Sequence, residues 1–139
     1  MAPLLLSSPD LSPMLRHIKS PTLRFALQLC FVLMVLGIAT LAFMPHPPRE
    51  VDTGWDKANH ILAFLALAAA GRLAWRQRAL PLVVLLLAYG VLIELVQARI
   101  PGRSADPQDV VADSVGIALG LLLAAAATAV LRRWRQAQG

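Results

Sequence analysis

The sequence predicts an all-α integral membrane protein, a four-helix bundle with antiparallel neighbours. Three observations carry that expectation. Of 139 residues, 58% are hydrophobic and only 15% are charged, and the mean hydropathy is +0.64, which is membrane rather than soluble-domain composition. Four apolar runs divide the chain, each close to the roughly 20 residues that cross a bilayer. Basic residues gather in the short flanks between the runs, where they set topology.

The elements follow in order. Residues 1–22 hold several Pro and Ser with Arg16, His17 and Lys19, and are expected as a flexible cytoplasmic tail. The first helix is expected over about 23–44, ended by Pro45-His46-Pro47-Pro48. No small-x-small cleavage motif follows, so it reads as an uncleaved helix and not a signal peptide. The second covers about 58–75 and is closed by Arg72, Arg76 and Arg78. Thr53 is its expected cap. The third covers about 79–98. The fourth covers about 108–131, completing one transmembrane domain over 23–131, and a basic cytoplasmic tail follows over 132–139. All four runs are apolar nearly all round, as lipid-facing helices are. Short connections make sequence neighbours antiparallel. The lone Cys30 excludes an internal disulfide and is expected as a small packing residue.

Charge placement sets an expected orientation. Arg16, Lys19, Arg24, Arg72, Arg76, Arg78, Arg132, Arg133 and Arg135 fall on one side; Arg49, Lys57, Arg99 and Arg103 fall on the other. The excess on the first side puts both termini in the cytoplasm of a multi-pass inner-membrane protein. All acidic residues except Asp10 then lie toward the outer side. A pI near 10.7 would suggest nucleic acid in a soluble protein. Here the positive charge is segregated by topology and no nucleic-acid motif is present, so membrane lipids are the expected partners.

Ionisable groups at membrane depth are costly and persist where they are paired or functional. Three motifs concentrate them at the outer end: Asp56-Lys57-x-x-His60, Glu94-x-x-Gln97 and Arg103-x5-Asp109-x3-Asp113. Asp56 and His60 share a helix face at i,i+4, as do Gly90, Glu94 and Gln97 at i,i+4,i+7. Glu94 lies a turn inside its helix and needs a partner, for which Arg103, Lys57 and His60 are available. Pro101-Gly102 signals a turn, and Asp106-Pro107 an N-cap followed by Pro at the first helical position. Asp109, Asp113, Gly116 and Gly120 form one stripe, in which Gly116-x-x-x-Gly120 is a small-residue packing motif and a possible homo-oligomer contact.

His60, Glu94 and Asp109 are the candidate acid–base residues; the plain alternatives are a structural hydrogen bond for His60 and a buried pair for Glu94. Lys57, Gln97, Arg103 and Asp113 are candidate ligand-binding residues, Arg103 for its planar fork that suits carboxylate or phosphate. Asp56, Gly90, Gly116 and Gly120 are expected to be structural. A His with two or three carboxylates resembles a divalent-metal donor set. Ligand spacing such as HExxH is absent, however, so neither a metal nor another cofactor is expected.

At these residues the chain resembles the VanZ-like family of small bacterial membrane proteins. The matching pattern is Asp56-Lys57-x-x-His60-x-x-x-Phe64, Glu94-x-x-Gln97, Pro101-x-Arg103 and Asp109-x-x-x-Asp113-x-x-Gly116-x-x-x-Gly120. It covers roughly residues 52–125 and three of the four helices. One departure is Asp113, where the family pattern usually has Asn. The resemblance implies a cell-envelope protein linked to teicoplanin resistance, and implies no particular reaction. Three readings follow: an outer pocket for a lipid head group, cell-wall precursor or glycopeptide; a membrane-embedded hydrolase or transferase; and an accessory protein whose polar network only locks helices.

Overall fold

The computed structural model describes residues 21–46, 48, 53–75 and 79–137. Most of the expected N-terminal tail, and the flank residues Arg49, Arg76 and Arg78, lie outside these. Among the described residues there are four helices: α1 (Pro21–Ala42), α2 (Asp56–Ala74), α3 (Ala79–Gln97) and α4 (Pro107–Ala137). Three of them, α1, α3 and α4, are long and apolar enough to cross a membrane. Neighbours run antiparallel, so the α1–α2 and α3–α4 connections share one end of the bundle, here the loop end.

Local chemistry explains the helix boundaries. Pro21 is the first described residue of α1. Asp106 caps α4: its Oδ1 accepts the Gln108 N–H at 2.9 Å, Pro107 follows, and Asp109 sits in the first turn against the positive helix end. The N-cap of α2 is Trp55, without a side-chain cap bond. Thr53 is therefore not the cap. Its hydroxyl is spent locally, donating to Trp55 O at 2.9 Å and accepting the Trp55 N–H at 3.2 Å. Asn59 Oδ1 reaches back to accept the Thr53 N–H at 3.0 Å and holds the entry to α2. Helix α4 continues past Leu131 through Arg132, Arg133 and Arg135 to Ala137. At about 1.5 Å per residue it outreaches the roughly 30 Å hydrocarbon core.

Helix α2 is the hub, and its most extensive contact is with α4. Its buried face is His60, Phe64, Leu67, Ala68, Gly71 and Ala74, spaced as one helical stripe. The facing stripe on α4 is Asp109, Ala112, Asp113, Gly116, Ile117, Gly120 and Ala124. A Cβ on Gly116 would strike the carbonyl of Ile61, and one on Gly120 the carbonyl of Leu65. The glycine stripe thus brings α4 backbone to backbone against α2 of the same chain. Lipid is as apolar as leucine, so close packing and interhelical hydrogen bonds, more than hydrophobic burial, hold such helices together.

Phe64, Leu67, Leu86, Ile93 and Ile117 form the centre of the core. The Tyr89 hydroxyl donates to Val35 O at 2.7 Å and ties α3 to α1. Phe31 meets Trp75 edge-on at 5.0 Å between ring centroids. It is also the one buried residue of α1, which lies at the periphery. Cys30 is exposed, contrary to the packing expectation. A helix with a single buried position presents most of its surface outward, and Cys30 lies on that apolar outer face with Leu29 and Leu33.

Candidate functional site

The loop end of the bundle carries a continuous polar network. Its floor is Asp113, with no exposed surface, whose Oδ1 lies 2.8 Å from His60 Nδ1. The imidazole is thereby fixed in orientation, with its ring parallel to Phe64 at 6.4 Å. Its other nitrogen, Nε2, faces Glu94 Oε1 at 3.8 Å, beyond hydrogen-bond reach. Glu94 Oε1 is buried without a hydrogen-bond partner, while Oε2 accepts the Asp106 N–H at 2.8 Å. Gly90 makes room for the floor: a Cβ there would collide with the Asp113 carboxylate. The close approach at Gly90 is thus to a side chain.

Above the floor, Lys57 Nζ bridges two carboxylates, Asp106 Oδ2 at 2.6 Å and the buried Asp109 Oδ1 at 3.1 Å. Asp106 thus has three tasks: it caps α4, donates its N–H to Glu94 and pairs with Lys57. The Lys57 ammonium and then the Gln108 N–H hold its carboxyl below the ordinary aspartate value. Lys57 and Arg103, both available to Glu94 in sequence, are engaged elsewhere. The α3–α4 connection could not be placed from sequence, so the backbone amide that reaches Glu94 first was missed. Asn59 and Tyr89 were missed as well: Asn59 is an unmarked x of Asp56-Lys57-x-x-His60, and Tyr89 lies in an apolar run outside the charged motifs. The Asp106-Pro107 signal was legible, but only as a cap.

Arg103 is positioned by a tight turn. Its N–H donates to Ile100 O at 3.1 Å, Pro101 and Gly102 occupy the central positions, and Gly102 has φ +83°. That is a type II turn, which needs glycine at its third residue. The guanidinium donates from Nη2 to Ala42 O at 3.4 Å, and Gln97 Nε2 donates to the same carbonyl at 3.0 Å. Both satisfy a carbonyl that the end of α1 leaves free. Arg103 Nε is buried and has no partner.

A cavity of about 510 Å³ opens beside this network, within the range of small-ligand sites. Asp56, His60, Gln97 and Arg103 line its polar end; Met34, Ile38, Leu62 and Phe64 line the apolar remainder. The structure therefore gathers the sequence candidates in two places. Lys57, His60, Glu94, Asp109 and Asp113 form the network, and Asp56, Gln97 and Arg103 the cavity mouth, with His60 in both. Asp56, His60 and Asp109 also set one donor atom each within 4.8 Å of one another, a spacing compatible with a cation. The Lys57 ammonium already occupies Asp109. An imidazole oriented by one buried carboxylate and facing another is also an acid–base arrangement.

The fold and site define a helical membrane protein with a buried ion-pair network beside an amphipathic cavity. The VanZ/LLP1 family model matches residues 28–130, about three quarters of the chain, and the protein belongs to this family. No curated protein and no solved structure matches the chain.

Proposed function

We propose that this is an inner-membrane protein of the bacterial envelope with both termini in the cytoplasm. Its loop end faces outward and recognises the head group of an envelope lipid, a cell-wall precursor or a glycopeptide. The observation that carries the reading is Arg103. Its Nε is buried and unpartnered at the mouth of a ligand-sized cavity. A buried donor left unmade costs about 1–3 kcal/mol, and a phosphate or carboxylate oxygen at the mouth would satisfy it. Asp56 and Gln97 beside it suit the hydroxyls or amines of the same ligand.

A second reading, a hydrolase or transferase acting at the outer leaflet, is favoured by His60. Asp113 holds its Nδ1 at 2.8 Å, leaving Nε2 as the reacting nitrogen with Glu94 alongside. The two readings, and a purely helix-locking network, separate in one experiment on His60→Ala, Glu94→Gln, Arg103→Ala and Asp109→Asn. Folded protein recovered from membranes is measured beside teicoplanin susceptibility of a sensitive host. The binding reading expects Arg103→Ala to fold normally and lose protection. The enzyme reading expects His60→Ala to fold and lose all activity, and it weakens if Glu94→Gln stays active. Parallel loss of folded protein and protection in all four would contradict both. A wild type without protection removes the glycopeptide branch.

A further inference from the structure

The cavity is not confined to the polar end. From Ala42 at the end of α1 it follows that helix down to Met34. The eight residue-to-residue rises between them measure about 12 Å along the axis, most of the roughly 15 Å depth of one leaflet's hydrocarbon. Two of its lining residues are exposed on the flank of the bundle, Gly37 on α1 and Leu62 on α2. The cavity therefore opens sideways between the two helices, toward the surface that a bilayer would cover. A Cβ built on Gly37 meets nothing within 4 Å. Among the described residues Arg103 is the fixed cation of the lining, and no carboxylate pairs with it.

We infer that the occupant is a phosphate-bearing lipid that enters laterally from the bilayer. One hydrocarbon chain lies in the groove between α1 and α2, and the phosphate meets Arg103. This rests on the head-group reading above and narrows it to a membrane-embedded amphiphile, excluding a water-soluble glycopeptide. The charge of the mouth selects the head. Moving a chain from lipid into an apolar groove is close to neutral, because lipid tails are as apolar as the groove. Discrimination therefore falls on the phosphate–guanidinium contact, which is charge-assisted. Asp56, at the same mouth, takes the hydroxyl donors that a glycerol head presents.

The test reconstitutes the full chain in vesicles carrying a photoactivatable phosphatidylglycerol, with the reactive group either on the chain or on the head. Cross-linked positions are mapped by mass spectrometry. The chain probe is expected to label Met34, Ile38 and Leu62, and the head probe to label the Arg103 turn. Along the series Gly37→Ala, Gly37→Leu and Gly37→Trp, groove labelling should fall with side-chain volume while labelling of the outer face of α1 stays constant. Gly37→Ala serves as the variant that must fold, since its methyl enters open space. Arg103→Ala should lose both labels.

An unlabelled groove beside a head-labelled Arg103 turn overturns the lateral-chain inference and leaves the head-group reading standing. Equal labelling of wild type and Arg103→Ala by both probes overturns the head-group reading as well. Groove labelling by a photoactivatable diacylglycerol as strong as by phosphatidylglycerol overturns phosphate selection. Competition of the head label by soluble glycerol phosphate at the groove's full expense would identify a free phosphate site, and would also overturn the inference.

Discussion

At the scale of single residues, the site depends on a few side chains that each satisfy more than one neighbour. Asp106 joins the α4 cap, the Lys57 ion pair and, through its amide, Glu94. Its carboxyl is held below the ordinary aspartate value by Lys57 and by the Gln108 N–H. A carboxyl depressed in the folded state contributes stability above its unfolded value and loses it as pH falls through the folded one. The unfolding temperature of wild type should therefore exceed that of Asp106→Asn at neutral pH. The gap should close as the pH drops below the ordinary aspartate range. A gap that is unchanged in acid would contradict the assigned role. The Asp106 carboxyl is only partly buried, so the effect is modest and screened by salt.

The sequence made the members of this network visible because charge inside apolar runs is conspicuous: His60, Glu94 and Asp113 could each be identified from position alone. It did not make the pairing visible. Which partner reaches Glu94 depends on the path of the α3–α4 connection: Lys57 and Arg103 do not, His60 stands at 3.8 Å, and the amide of Asp106 makes the hydrogen bond. Asn59 was illegible for a related reason. An Asn near a helix start reads as ordinary, and its bond to Thr53 exists only once the chain has turned back at Gly54.

At the scale of elements, the α2–α4 seam is the feature most sensitive to substitution. Gly116 and Gly120 face carbonyls of α2, which cannot move aside as a side-chain tip can. Overpacking of a tight interior costs about 1–3 kcal/mol. Gly116→Leu should therefore lower folded protein, measured by resistance to denaturing detergent, and should displace His60 from Asp113. Wild-type resistance in that variant would refute the close seam. The same substitution at Gly37, where the added atoms meet open space, should leave resistance unchanged. Helix positions were legible to within about two residues at most ends, since a bilayer demands a minimum apolar length. The exception is the end of α4. Arg132, Arg133 and Arg135 looked like a tail, but basic residues sit comfortably in the last turns of a helix, and α4 continues through them.

At the scale of the whole molecule, the polar groups and the cavity mouth lie together at the loop end, and the apolar groove runs from there toward the middle of the bundle. Apolar composition and helix count were legible in the sequence. The apolar stretch of the cavity, lined by Met34, Gly37, Ile38, Ala63 and Ala66, was not, because no charged residue marks it. On the proposed reading, this end of the bundle holds a ligand and is not merely a lock between helices. The most direct measurement is native mass spectrometry of the gently extracted protein, wild type against Arg103→Ala, with the unfolding temperature of each recorded. Wild type is expected to retain a phosphate-bearing lipid, and Arg103→Ala to be recovered folded but without it, its unfolding temperature lowered by no more than loss of the ligand and of the Ala42 bond explains. Equal lipid retention in both, or a loss that only tracks the loss of folded protein, would contradict that reading.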